Sequence, residues 1–205
     1  MKRIALACLV ALAPVATWAN IIPTGTSITG AGPYVWTYNL QLSSDQDAHS
    51  GPSPTVHPVP HVNLNVGSFL TLFDFAGYVT GSCTGPAGWT CTNQDIGFTP
   101  DDVIPTDDAA LPNLTWVYEN GPKLTGEPNG LDLGLFSATS IYNREVLVSY
   151  AARGVKNNGF SIGTIADNVG NTRGPGQAVP EPGTLTLAGL ALVLSGGLMN
   201  RRRNR

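Results

Sequence analysis

Apolar and polar residues alternate with a period of two along much of the chain, and no long stretch repeats at the helical period. Within Tyr34–Leu42, one face carries Tyr34, Trp36, Tyr38, Leu40 and Leu42, and the other carries Thr37, Asn39 and Gln41. Val62, Leu64 and Val66 alternate with Asn63 and Asn65. Phe69–Phe75 is apolar on both faces apart from Thr71 and Asp74, which is the pattern of a central strand. Tyr78-Val79-Thr80 lies between Gly77 and Gly81. Further runs alternate at Leu114/Trp116/Tyr118, at Leu131/Leu133/Leu135 and at Val146/Val148/Tyr150. Phe160–Ala166 reads as the last strand, after the turn residues Asn157-Asn158-Gly159.

Short strands separated by Gly and Pro predict an all-β fold, an antiparallel β-sandwich of Ig-like or jelly-roll-like type over residues 20–168. The aromatic stripes of Trp36, Tyr38, Trp116 and Tyr118 belong to its core on this reading; the rival is a sugar-binding surface. Ser43–Pro60 is polar and proline-rich and reads as a loop that cannot be a core strand. Pro100–Pro112 reads as an acidic loop, and residues 169–179 as a flexible Gly/Pro-rich linker.

The two ends follow another pattern. Lys2 and Arg3 precede an apolar run from Ile4 to Val15, then small residues at Thr17 and Ala19. This predicts a signal peptide over residues 1–19, cut between Ala19 and Asn20. At the other end the run from Thr184 to Asn200 has no charge between Leu185 and Met199, and arginines follow at once. Its length is at the short end of a membrane-spanning helix, and the arginines would keep the C-terminus cytoplasmic. Pro180-Glu181-Pro182, just before it, keeps the chain extended and accessible.

Charge and cysteines fit export. Six of the eleven basic residues belong to the ends, so residues 20–182 hold five against fourteen acids, a formal charge of −9. Such a chain repels phosphate backbones, which argues against nucleic-acid binding. Cys8 leaves with the signal, and the remaining pair, Cys83 and Cys91, reads as a disulfide.

Candidate chemistry is sparse. His49, His57 and His61 lie near Asp45 and Asp47 but match no compact zinc spacing. Asp101, Asp102, Asp107 and Asp108 offer oxygen ligands to calcium without the EF-hand pattern. No GxSxG, HExxH or phosphate-binding loop is present. Asn113-Leu114-Thr115 is formally a glycosylation sequon. The expectation is therefore a non-enzymatic protein with no catalytic residue, metal or cofactor assigned. The rivals are an exported hydrolase built from His57, His61 and the Asp101–Asp108 loop, and a calcium-stabilised carbohydrate-binding module.

The order VPEP, short apolar segment, arginine cluster resembles the PEP-CTERM sorting signal of exported proteins of Gram-negative bacteria. The resemblance implies that Pro180, Glu181 and Pro182 are read by an exosortase, a membrane protease or transpeptidase. It makes residues 184–200 a transient inner-membrane anchor and Arg201, Arg202 and Arg203 the stop. It further implies delivery to the cell surface or extracellular matrix, in a biofilm rich in exopolysaccharide. It covers residues 180–205 and carries no activity over to the body.

Overall fold

The computed structural model describes residues 20–63 and 65–177. The signal segment, Leu64, the sorting motif, the apolar tail and its arginines lie outside them. Among the described residues there is no α-helix, and no helix long and apolar enough to cross a membrane. The domain is all-β and antiparallel, in two sheets.

The smaller sheet has the order β1 (Ile21–Thr29), β2 (Tyr34–Leu42), β8 (Leu131–Ser140). The larger one runs β5 (Trp89–Gln94), β6 (Asn113–Tyr118), β4 (Phe69–Leu72), β9 (Arg144–Lys156), and continues to the short β3 (Gln46–Ala48) and β7 (Leu124–Thr125). The last strand, β10 (Ile165–Gly176), pairs with β9 along its whole length.

The core lies where the alternation puts it. Trp36, Tyr38, Leu40 and Leu42 of β2 and Phe136 and Ala138 of β8 face Leu70 and Leu72 of β4, Leu114, Trp116 and Tyr118 of β6, and Val148, Tyr150 and Ala152 of β9. Phe136 meets Trp89 and Trp116 edge to face, with centroids 5.1 and 5.9 Å away. Each such buried side chain contributes about 1.5–3 kcal/mol. The four aromatics set against a sugar platform, Trp36, Tyr38, Trp116 and Tyr118, are all at most 2 % exposed and belong to this core.

Several expectations are corrected. Residues 169–176 are strand, not linker: β10 continues through the glycines to Gly176. The glycines make room for β9, since a Cβ at Gly170 would lie 2.7 Å from Tyr150 Oη and one at Gly176 2.3 Å from Val146 Cγ1. Phe160 and Ser161 belong to a single 3₁₀ turn, Gly159–Ser161, with Phe160 fully exposed. Residues 61–63 form no strand, and Val62 is exposed. Ser43–Pro60 does contain a strand, β3, whose three residues are all buried. β1 and β5 were not expected. In β8 the register shifts at Leu133–Gly134, which turns Leu135 outward to 65 % exposure.

The sandwich closes along two lateral seams. On one, the Cys83–Cys91 disulfide joins β5, the edge of the larger sheet, to the segment that bridges β8 through Thr84 and Ser137. On the other, Asn20, just before β1, donates its side-chain amide to the carbonyls of Ala152 in β9 and Ala166 in β10. Its own carbonyl accepts from Ser43 N and Oγ, both at 3.1 Å, at the end of β2.

Candidate functional site

A second, smaller core covers the outer face of the larger sheet. Phe69 of β4 and Val117 of β6 point outward and are capped by Val59, from the segment between β3 and β4, and Phe98, from the segment between β5 and β6. His57 stacks on Phe98, with centroids 4.3 Å apart, and its Nδ1 lies 3.1 Å from Gly97 O. Thr71 Oγ1 donates to Phe98 O at 2.7 Å. These contacts pin residues 57–61 and 97–102 beside β9 and β10.

At that place Arg153 of β9 lies opposite Asp167 of β10. The Arg153 side chain is 2 % exposed, and its Nε donates to Asp167 Oδ1 at 3.0 Å. Its Nη1 and Nη2 donate to Pro60 O and Val59 O, and Phe69 sits beneath the guanidinium at 5.7 Å. All three sides of the fork are thus engaged, as a buried guanidinium requires. His61 Nδ1 is 3.0 Å from Asp102 Oδ2 and 3.3 Å from Asp167 Oδ2. Asp101 Oδ1 stands 3.9 Å from Arg153. One ligand atom from each of His61, Asp101, Asp102 and Asp167 falls within 4.8 Å of the others. Burial pushes the Asp167 carboxyl above its usual range, and the hydrogen bonds and charges of Arg153 and His61 draw it back part of the way.

The acidic loop is therefore split. Asp101 and Asp102 join His61, whereas Asp107 accepts from Gly97 N and Asn113 Nδ2, and Asp108 N donates to Asp74 Oδ1 at 2.7 Å. Burial raises the Asp74 carboxyl, with Asp107 and Asp108 adding to the rise. The three histidines do not converge: His57 is held on Phe98, and His49 lies 3.9 Å from Asp47. The sequon is closed to sugar in the folded domain, because Asn113 and Thr115 are both fully buried. Arg153 and Asp167 were not singled out beforehand. The signal was a lone arginine directly after the mostly apolar run Val146–Ala152.

The chain leaves the described domain at Gln177, one residue beyond the last pair of β10, Gly176 with Arg144. A groove of about 450 Å³ opens there, lined by Asp74, Asp108, Tyr142, Val146, Val148 and Gln177. Residues 178–203 match the model of the PEP-CTERM protein-sorting motif. The chain carries a PEP-CTERM sorting signal. The match covers Pro180–Pro182, the apolar segment and Arg201–Arg203, so this is an exported protein of the exosortase-substrate type, sorted through the membrane to the cell surface. The signal begins where the ladder ends, with Gln177 alone between them. No curated protein matches the chain.

Proposed function

We propose that the β domain is a structural or adhesive component of the cell surface or of an exopolysaccharide matrix, released from its membrane anchor by exosortase. The observation that carries this reading is the sorting signal joined directly to a rigid, disulfide-closed β domain. The domain's charge supports it as well. Four of its five basic side chains, Lys123, Arg153, Lys156 and Arg173, lie within 4.0 Å of a carboxylate, which leaves a surface of predominantly negative charge. Such a surface stays soluble among neutral glycans and is drawn together by divalent cations.

Deletion of the chain in its host, complemented with the full sequence, tests the role. Loss of matrix cohesion, together with retention of the purified protein on the host's own polysaccharide, is expected. Neither effect, with the protein correctly processed, would leave the matrix role without support.

One observation favours a second reading, a cation-stabilised module. Around Arg153 the carboxylates of Asp101, Asp102 and Asp167 outnumber the guanidinium by two charges, with the His61 ring beside them. A divalent cation would neutralise that surplus. On this reading calcium or zinc raises the melting temperature and Asp102→Asn abolishes the rise. An unchanged melting temperature rejects it. The hydrolase reading draws less support, since His57 is committed to Phe98 and Gly97 and does not join His61.

A further inference from the structure

The longest strand at an edge of the larger sheet is β10, and among the described residues no strand pairs with the side of it that faces away from β9. Parity along the ladder tells which backbone groups are left over. Ser149 O accepts from Phe73 N at 3.0 Å, so the odd-numbered residues of β9 bond towards β4. Lys156 N donates to Thr164 O at 2.8 Å, so the even-numbered ones bond towards β10. Odd residues of β10 lie opposite odd residues of β9, Asp167 with Arg153 and Asn171 with Ser149. The odd residues of β10 therefore turn their N–H and C=O groups away from β9. No backbone hydrogen bond among the described residues uses those groups of Asp167, Val169, Asn171 or Arg173. The stretch is open, since Val169, Asn171 and Arg173 are exposed and Gly170 and Thr172 half-buried. It also lacks most of the guards of a sheet edge. The register with β9 runs without a bulge, no lysine is present, and the one proline, Pro175, lies near the end of the strand.

We propose that this edge is a self-pairing surface: two copies of the domain join β10 to β10, antiparallel about a twofold axis at Gly170, and so make one continuous sheet. Two features of the strand select a second copy as the occupant. The first is the fit of the backbone. With Gly170 on the axis, Asp167 of one copy lies opposite Arg173 of the other, and Val169 opposite Asn171. Every outward N–H and C=O of these four residues then meets its complement. The second is charge. Arg173 is exposed and tied only to Glu145, at 3.9 Å, which is a weak hold. At the other end of the same stretch the carboxylates of Asp101, Asp102 and Asp167 outnumber the guanidinium of Arg153. The twofold arrangement sets Arg173 of each copy beside that surplus on the other, whereas a parallel, in-register pairing would set Arg173 against Arg173. Opposite charges across a strand pair stabilise it, and like charges weaken it. One ladder buries little surface, so the dimer is weak and forms where the chain is concentrated.

The test uses the protein recovered from its host after expression of the full chain, its length fixed by intact mass, in sedimentation velocity over a concentration series. The expected result is a monomer–dimer equilibrium. Val169→Pro should abolish it, because proline removes an outward N–H and no bond to β9. Arg173→Glu should weaken it about tenfold, since it sets like charges opposite each other. Melting temperatures of the dilute variants, close to that of the wild type, separate lost pairing from lost folding. Cysteine pairs read the register and stand even where the proline variant does not fold. A mixture of Val169→Cys and Asn171→Cys chains should form linked dimers faster than either chain alone, because directly opposite Cα atoms lie about 5.5 Å apart, within disulfide reach. A chain that stays monomeric at every concentration overturns the proposal. So does a dimer that survives Val169→Pro, or a mixture that links no faster than its components. Exchange protection of the Val169, Asn171 and Arg173 amides that does not change with concentration also overturns it, since the edge is then covered within one chain. A monomer that is still retained on the host's polysaccharide rejects this inference and leaves the matrix reading standing.

Discussion

The two seams of the sandwich close by different means. Between β5 and the bridge to β8 the seam is covalent, a disulfide whose Cα atoms are 5.9 Å apart, on a loop of eight residues' separation. Between β1 and the β9–β10 pair it is a buried asparagine with hydrogen bonds to both sheets. The first seam restrains the unfolded chain as well as the folded one and depends on the redox state of the compartment. The second acts only in the folded state.

The largest way to break the asparagine seam is to remove the charge next to it in β9. Arg153→Met leaves Asp167 buried without its partner and should cost about 3–5 kcal/mol in denaturant unfolding. The double change Arg153→Met/Asp167→Leu should recover most of that loss, as a double-mutant cycle would show. Cys83→Ser/Cys91→Ser should cost about 2–3 kcal/mol, the chain-entropy value for a short loop. Hydrogen exchange should then rise in β5 and leave β1 and β10 protected. Asn20→Ala should cost about 1–3 kcal/mol, because the carbonyls of Ala152 and Ala166 lose their donor. Its exchange signature should be the reverse, with β1 opening and β5 unchanged.

The smallest effect is that of acid. Burial alone would raise the Asp47 carboxyl, but hydrogen bonds from Lys123, Thr125 and Asn157, and the Lys123 charge, hold it below its usual range. A lowered value in the folded state means that the unfolded chain binds the proton first. The contribution of Asp47 is then complete above about pH 4 and disappears as the pH falls through the lowered value. Asp47→Asn should flatten that acid limb of the melting curve. Asp167 works in the opposite sense: its carboxyl is raised, so what it costs grows as the pH rises from about 4 through the folded value.

How much of this could be read from the sequence depended on who supplies each strand's stability. β2, β6 and β9 carry their own apolar stripe, and the alternation at Trp36–Leu42, Leu114–Tyr118 and Val146–Tyr150 located them. β10 has almost no stripe. Its stability comes from β9, and its glycines, which resemble a linker in isolation, are there because Tyr150 and Val146 fill the space above them. β1 is interrupted by Pro23 and Gly25, where its register with β2 shifts. β5 is mostly Thr, Asn and Gln, with one face in solvent and, among the described residues, β6 as its only partner strand. The candidate site divided the same way. His61, Asp101 and Asp102 stood out as residue types, but their meeting with Asp167 and Arg153 follows from the β9–β10 register and from the loop cap on Phe69.

The continuous β9–β10 ladder also sets how the domain bears a load. The described chain ends one residue beyond β10, so a pull applied there along the strand loads its Gly176 end. Antiparallel hydrogen bonds lie perpendicular to their strands. The twelve residue pairs from Ile165 to Gly176 are then sheared together instead of peeled apart one at a time. Behind them β9 passes the force to β4 and β3. Were the domain held by its C-terminus, a load along β10 would have to break that whole ladder at once, like a riveted strap.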